Sequence, residues 1–312
     1  MKAIGVVGGA GFIGSYITKK FLKEGYRVKV SVTDIKRSEK YEHLFKFKNS
    51  ENINIQRLKL EDRKALNHFI EDCEIMVHSG TPFRLNVRDA KTELLDPTIK
   101  GTTNFLEAVS EVSHVKKVLF LASVAAWNTN FPLPAAGKSA EDIFDEQELR
   151  FSSPESHPYC QAKFIANQVV ETFIKKNKDL PFEIVSVSPV MVMGKSLSTR
   201  ESTSKGVQFL IKNKIAPDEL FQSFYDKNLA FAVVDVEDVA KAVYKAATTK
   251  GLHGKDYLLT SESYKVSDIH EMLNKREPKE NAQIIYKNNL AKTDLGVQFR
   301  PVKETLNNYQ NS

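Results

Sequence analysis

Short apolar runs without charge alternate with amphipathic stretches along the first 190 residues, in the rhythm of strand and helix. Residues 3–7 (A-I-G-V-V) read as a buried strand and residues 12–23 as a helix with one apolar face. Further strands are expected at 27–33, 53–60, 74–78, 115–122 and 182–188, with helices at 63–72, 97–112 and 158–178 between them. Strands with uncharged cores are buried on both faces, which requires helices on either side of a parallel sheet. The expected fold is α/β, a doubly wound parallel sheet of Rossmann type with a smaller C-terminal domain.

Beyond Pro189 the rhythm breaks. Residues 190–226 mix Met191 and Met193 with Phe209, Leu210, Phe221, Phe224 and Tyr225. The run V-V-D-V at 233–236 and a helix at 236–248 look like a return to the sheet, and a strand at 257–260 and a helix at 266–274 follow. Residues 1–189 plus about 232–250 are therefore assigned to the Rossmann domain, and about 190–231 plus 251–312 to a substrate domain. The 127–154 segment is long, irregular and rich in Pro, Asn and acidic residues, as functional loops often are.

Four glycines (Gly8, Gly9, Gly11, Gly14) lie between the first strand and the first helix. They satisfy both G-x-G-x-x-G and G-x-x-G-x-x-G. Glycine lets the chain turn sharply, lets a pyrophosphate approach bare backbone, and lets the helix pack closely on its strand. The first helical turn then offers free N–H groups and a positive dipole end to phosphate. Asp34 follows twenty residues after Gly14, at the end of the second strand, where the ribose of a dinucleotide is read. After the fourth strand, Ser79, Gly80, Thr81, Pro82 and Phe83 stand at the carboxyl edge of the sheet, where open α/β folds bind ligands.

Tyr159 and Lys163 are four residues apart on the long helix, on one face. A lysine there can hold a nucleotide ribose and tune the phenol as an acid/base, while Ser123, closing the fifth strand, can give a second hydrogen bond to a reacting oxygen. Ser, Tyr and Lys make a hydride-transfer site that needs no metal. The two cysteines, Cys73 and Cys160, have no ligand spacing, so neither a zinc site nor a disulfide framework is expected.

Bulk properties narrow the alternatives. The chain of 312 residues has 41% hydrophobic and 27% charged residues, ordinary for a globular protein. Forty-five basic against thirty-nine acidic residues leave +6, thinly spread, which argues against nucleic-acid binding. No membrane association is expected, since no apolar run approaches a membrane span and the first strand begins at once; a cytoplasmic monomer or homodimer acting on a small molecule is the expectation.

The glycine turn, Ser123 and the Tyr159/Lys163 pair resemble the extended short-chain dehydrogenase/reductases over nearly the whole chain. The strings V-H-S-G-T-P-F (77–83), P-Y-C-Q-A-K (158–163), S-P-V-M-V-M-G (188–194), V-D-V-E-D-V-A-K-A (234–242) and L-G-V-Q-F-R-P-V-K-E-T-L (295–306) are similar to the dihydroflavonol-4-reductase-like branch, which includes methylglyoxal and aldehyde reductases and cinnamoyl-CoA reductases. The resemblance implies reversible reduction of an aldehyde or ketone, with Tyr159 as proton donor and Ser123 and Lys163 as its helpers. It implies cofactor contacts at Gly8, Gly11, Phe12, Ile13, Gly14, Leu60, Ser79, Gly80, Thr81 and Ala122, with Pro189 and Val190 against the nicotinamide carboxamide. Around the substrate it implies Pro82, Phe83, Ala125, Trp127 and Met191, beside Thr81.

The chain departs from that pattern after the second strand. Thr33 stands where an arginine often grips the 2′-phosphate, and Val32 where an acidic residue would select NAD. With Asp34 slightly late and Lys36 and Arg37 in the following loop, NADP(H) is favoured and NAD(H) is possible. A nucleotide-sugar epimerase or dehydratase, or a 3β-hydroxysteroid-type dehydrogenase, shares the same cofactor, but the 202–226 stretch is apolar and aromatic where a diphosphate would need basic groups. A non-catalytic nucleotide sensor is the remaining alternative, although Tyr159 and Lys163 are both retained.

Overall fold

Seven parallel strands form the centre of the computed structural model, which describes residues 1–79, 88–135, 137–139, 142–198 and 203–309. In chain order the first half comprises β1 (Ala3–Val7), α1 (Phe12–Lys23), β2 (Arg27–Val32), β3 (Ile53–Arg57), α2 (Arg63–Ile70), β4 (Ile75–His78), α3 (Asp96–Ser110), β5 (Lys117–Leu121), α4 (Pro158–Lys176) and β6 (Glu183–Pro189). There follow β7 (Met191–Met193), α5 (Thr203–Asn213), α6 (Glu219–Asp226), β8 (Ala230–Asp235), α7 (Val236–Thr248), β9 (Asp256–Leu259), β10 (Glu262–Lys265), α8 (Val266–Leu273), α9 (Asn289–Leu295) and α10 (Val302–Asn307).

The large sheet runs β3-β2-β1-β4-β5-β6-β9, and each pair is parallel, as the doubly wound expectation required. Alternate residues feed opposite faces. Ile4, Val6, Leu119, Leu121, Val185 and Val187 join one apolar cluster with α1, α7 and α9. Val7, Met76, Val118, Phe120 and Ile184 join the other with α2, α3 and α4. The strand order reverses between β1 and β4, so the chain leaves these neighbours in opposite directions and opens a crevice at their carboxyl ends.

A second sheet of three strands, β10-β8-β7, packs with α5, α8 and α10 around Phe231, Val233, Ile269, Met272 and Leu306. Two strands thus sit differently from their sequence assignment. Residues 256–259, given to the substrate domain, complete the large sheet beside β6, with Val187 opposite Tyr257. The run at 233–236, read as a return to the large sheet, lies at the end of β8, which pairs instead with β7 and β10. An uncharged buried strand carries the same apolar signal in either sheet, so the run alone does not say which it joins.

The 127–154 segment is pinned at both ends of its course. The Arg150 guanidinium donates to the Ala126 carbonyl at 3.0 Å, pairs with Asp256 and Glu171 at 2.9 Å each, and lies 4.2 Å from the Trp127 ring. Glu146 is half-buried, accepts from the Leu290 N–H at 3.1 Å and has no hydrogen-bond partner for its Oε1 among the described residues. Burial pushes its carboxyl up to about 7. A carboxyl whose folded-state value lies above its unfolded one costs stability as it ionises, so the fold loses stability as pH rises from the ordinary glutamate range through about 7. Glu146→Gln is therefore expected to raise Tm at about pH 8.5 relative to the parent and to leave it nearly unchanged at about pH 5, as thermal melts at the two pH values will show.

Candidate active site

The glycine turn joins the carboxyl end of β1 to α1. Gly8 has φ +77°, the left-handed region that side chains disfavour, and the Gly11 N–H donates to its carbonyl at 3.0 Å. At Gly14 the demand is for space: a Cβ there would stand 2.1 Å from the Gly8 carbonyl oxygen and 2.8 Å from Gly9 Cα. Helix α1 begins without a side-chain cap and without an acidic residue in its first turn. Its first N–H groups are thus left for an anion, as a pyrophosphate would require.

Two cavities meet at Gly8 and Gly11. One, of about 630 Å³, runs toward β2 and β3 past Ala10, Thr33, Lys40, Lys59 and Leu60. The other, of about 680 Å³, runs past Ser79, Ala122, Ser123, Tyr159 and Lys163 into the small sheet's side. Together they form an elongated groove over the switch point, of a shape and backbone exposure that fit a dinucleotide. Tyr159, Lys163 and Ser123 converge in the second cavity.

Local structure explains this convergence. Pro158 opens α4 at a position where its missing N–H costs nothing, and His157 Nδ1 accepts from the Tyr159 N–H at 3.2 Å as the cap. Lys163, one turn on, is buried. Ser123 leaves β5 with an extended backbone, and its Oγ accepts from the Ala125 N–H at 3.2 Å, capping the 3₁₀ turn Val124–Ala126.

Electrostatics favour the neutral acid. Burial pushes the Tyr159 phenol well above its ordinary value; the nearby Cys160 adds to this, while a hydrogen bond with the Ser123 hydroxyl opposes it. Burial lowers the Lys163 ammonium to about 8, and its Nζ donates to the Leu121 carbonyl at 3.1 Å. In the free protein Tyr159 is therefore a protonated donor beside a second hydroxyl, suited to delivering a proton.

Of the other residues singled out from sequence, Phe12, Ile13, Ala125, Pro189, Val190 and Met191 line the same cavity. Asp34 accepts from the Lys36 N–H at 3.0 Å, and Arg37 pairs with Glu39 at 2.8 Å; neither these acidic and basic groups nor Lys36 are among the described lining residues. Lys40 and Lys59 supply the cationic side chains of that end instead. Trp127 is buried under the Arg150 guanidinium with its ring against Phe144, and does not line the cavity. Gly80, Thr81, Pro82 and Phe83 lie outside the described residues. His78 is buried between Phe105 and Phe120. Among the described residues no cluster of His, Cys, Asp or Glu could hold a metal, and no helix is long and apolar enough to cross a membrane.

The far end of the cavity that holds Tyr159 was not legible from sequence. Phe131, Val207, Ile211, Phe221 and Phe224 line it. Its polar groups are engaged internally: Gln208 accepts from the Gly194 N–H at 2.9 Å and donates to the Ser204 carbonyl at 3.2 Å, and Asp218 caps α6 through the Phe221 N–H at 2.9 Å. The signal available was the i, i+3 spacing of Phe221 and Phe224 on a short helix.

The chain is similar over most of its length to known proteins. The family described as the NAD dependent epimerase/dehydratase family matches residues 4–259. A cinnamoyl-CoA reductase of Medicago truncatula is 29% identical over 80% of this chain and 74% of its own length. A putative NADPH-dependent methylglyoxal reductase of Candida albicans is 27% identical, covering 89% of this chain and 84% of its own. Among solved structures, the yeast methylglyoxal/isovaleraldehyde reductase complexed with NADPH superposes with a TM-score of 0.81 at 23% identity, over 98% of this chain and 96% of that one.

Proposed function

The chain belongs to the NAD dependent epimerase/dehydratase family, and from that premise we propose that it is an NADP(H)-dependent carbonyl reductase acting on uncharged, apolar aldehydes or ketones. The observation that carries the reading is the meeting of Ser123, Tyr159 and Lys163 in one cavity continuous with the glycine turn. A nicotinamide cofactor supplies the hydride when bound. Tyr159 gives its phenolic proton to the substrate oxygen, and the Ser123 hydroxyl donates a hydrogen bond where negative charge develops. Lys163 holds the nucleotide ribose and keeps a positive charge beside the phenol. Gly8, Gly11 and the first turn of α1 receive the pyrophosphate, and Lys40 and Lys59 provide the positive charge for a 2′-phosphate. The large-sheet lobe holds the dinucleotide, and the small lobe shapes the substrate end.

Relatives support the reductase reading, since the cinnamoyl-CoA and methylglyoxal enzymes are reductases by name. The substrate end counts against a nucleotide sugar: among its described residues the charged side chain is Asp218, already used as a cap, and none is basic. Oxidation of NADPH and of NADH, followed side by side against aliphatic and aromatic carbonyls, carboxylate-bearing carbonyls and nucleotide sugars, tests this. Turnover of the uncharged carbonyls with preference for NADPH is expected. Binding of cofactor without consumption across the whole panel would instead favour a nucleotide sensor.

A further inference from the structure

At the amino ends of the large-sheet strands, away from the glycine turn, lies an open cavity of about 670 Å³. Five of its described lining residues are lysines: Lys2 before β1, Lys116 and Lys117 at the start of β5, Lys178 between α4 and β6, and Lys250 between α7 and β9. Two glutamates, Glu74 and Glu183, share the lining. Like charges gathered around one concavity repel each other, so the excess of ammonium groups requires an explanation.

Helix ends account for part of the cluster. Helices that flank a parallel sheet end at this edge, and their last carbonyls attract cations. Lys116 donates to the Ser113 carbonyl at 2.8 Å, past the end of α3, and Lys117 to the Thr249 carbonyl at 2.7 Å, past the end of α7. Lys117 also pairs with Glu183, whose carboxylate accepts from the Gly251 and Leu252 N–H groups at 2.8 and 3.1 Å. That carboxylate is spent. Lys2, Lys178 and Lys250 are exposed, and their side chains make no hydrogen bond or ion pair with any described residue. Among the described lining residues, Glu74 is the one carboxylate left against these three ammonium groups. His253, also on the lining, accepts at Nδ1 from the Ile184 N–H at 3.2 Å, which leaves Nε2 to carry the ring proton as a further donor.

We propose that this cavity is a second ligand site, which takes a small molecule carrying a chain of two or more phosphates. The three ammonium groups come from three separate segments around the lining, an arrangement matched by charges spread along a ligand rather than gathered on one carboxylate. Lysine meets phosphate as a point charge on a flexible stem and needs no bidentate geometry. Tyr26, Leu180 and Pro181 add an aromatic and apolar wall, suited to the base of a nucleoside phosphate. A cavity of this volume is sized for a small molecule, whereas a nucleic-acid duplex or a bilayer needs charge over an extended face. The length of β1 separates Lys2 from Gly8 by roughly 20 Å, so this ligand and a dinucleotide bind together without contact.

The test titrates the NADPH-saturated protein with sodium tripolyphosphate by calorimetry at about 50 mM salt, the NADPH keeping the glycine turn occupied. One molecule is expected to bind per chain, with an affinity that falls several-fold at about 0.3 M salt. Lys178→Glu and Lys250→Glu together are expected to weaken binding at least about tenfold. Lys227→Glu and Lys279→Glu, which make the same change in net charge at exposed positions outside the cavity, are expected to weaken it less than about twofold. ATP in place of tripolyphosphate separates the sources: tighter binding of ATP assigns the Tyr26 wall to a nucleoside, and equal or weaker binding assigns the site to the phosphate chain alone. No binding of either in the millimolar range, or equal responses of the two paired variants, would overturn the proposal.

Discussion

Tyr159→Phe is expected to lower kcat for carbonyl reduction by about three orders of magnitude while leaving NADPH affinity within roughly twofold of the parent. The substitution keeps the ring and its packing and removes only the O–H. The His157 side chain caps the backbone N–H of Tyr159, a bond that the substitution leaves intact, so α4 starts in the same place. Burial and the hydrogen bond with Ser123 are what make this phenol a poised neutral acid, and phenylalanine has nothing to give. Single-turnover kinetics with bound NADPH, together with fluorescence titration of the cofactor, measure both quantities. Retention of more than about a tenth of the rate would move the acid to another group at the cavity wall, and His157 would be the first to examine.

Gly14→Ala should be the most damaging single methyl in the protein. Its Cβ would stand 2.1 Å from the Gly8 carbonyl oxygen, and the other close atoms also belong to backbone, so no side chain can swing aside. Helix α1 must lift from β1, loosening Ile17, Phe21 and Leu22 in the core beneath. Overpacking of this kind costs roughly 3 kcal/mol, which corresponds to a Tm lower by about 5 °C for a chain of this size. The same lift spoils the first turn of α1, so NADPH affinity should drop at least about tenfold. Gly206→Ala is the natural control: it lies within α5 with nothing within 4 Å of the added Cβ, and alanine is the better helix former. Melting curves and cofactor titrations of both variants decide the matter. Equal losses in the two would mean that the close contact at Gly14 is not what limits the turn.

The half of the molecule that carries the glycine turn and the Tyr159/Lys163 pair was legible because local signals and tertiary structure agree there. The glycine spacing, the serine at a strand end and the Tyr/Lys pair opening a proline-started helix each depend on a few adjacent residues, and the observed β1, α1, β5 and α4 fall within a residue or two of the expected spans. The small lobe was not legible for the opposite reason. Strand β7 has three residues, too few for a period, and β10 (E-S-Y-K), at the edge of its sheet, is polar in three of its four residues. Which loop cations face the adenosine end depends on how residues 34–46 fold into short 3₁₀ turns: Arg37 turns to Glu39, while Lys40 faces the groove. Trp127 is a similar case, since its place under Arg150 is decided by a residue 23 positions away.

The thread of the chain between the two sheets limits how this protein can be recombined. After β6 it leaves for β7, α5, α6 and β8, returns for α7 and β9, leaves again for β10 and α8, comes back for α9 against the large sheet's cluster, and ends in α10 beside α8. A fragment cut after residue 250 would bare the flank of β6 where β9 belongs, an open edge that invites stacking of one copy on another. Grafting a foreign specificity lobe onto this cofactor platform therefore cannot be done at a single splice point; it needs matched junctions at every crossing, and sequence drift within the lobe is the easier road to new substrates.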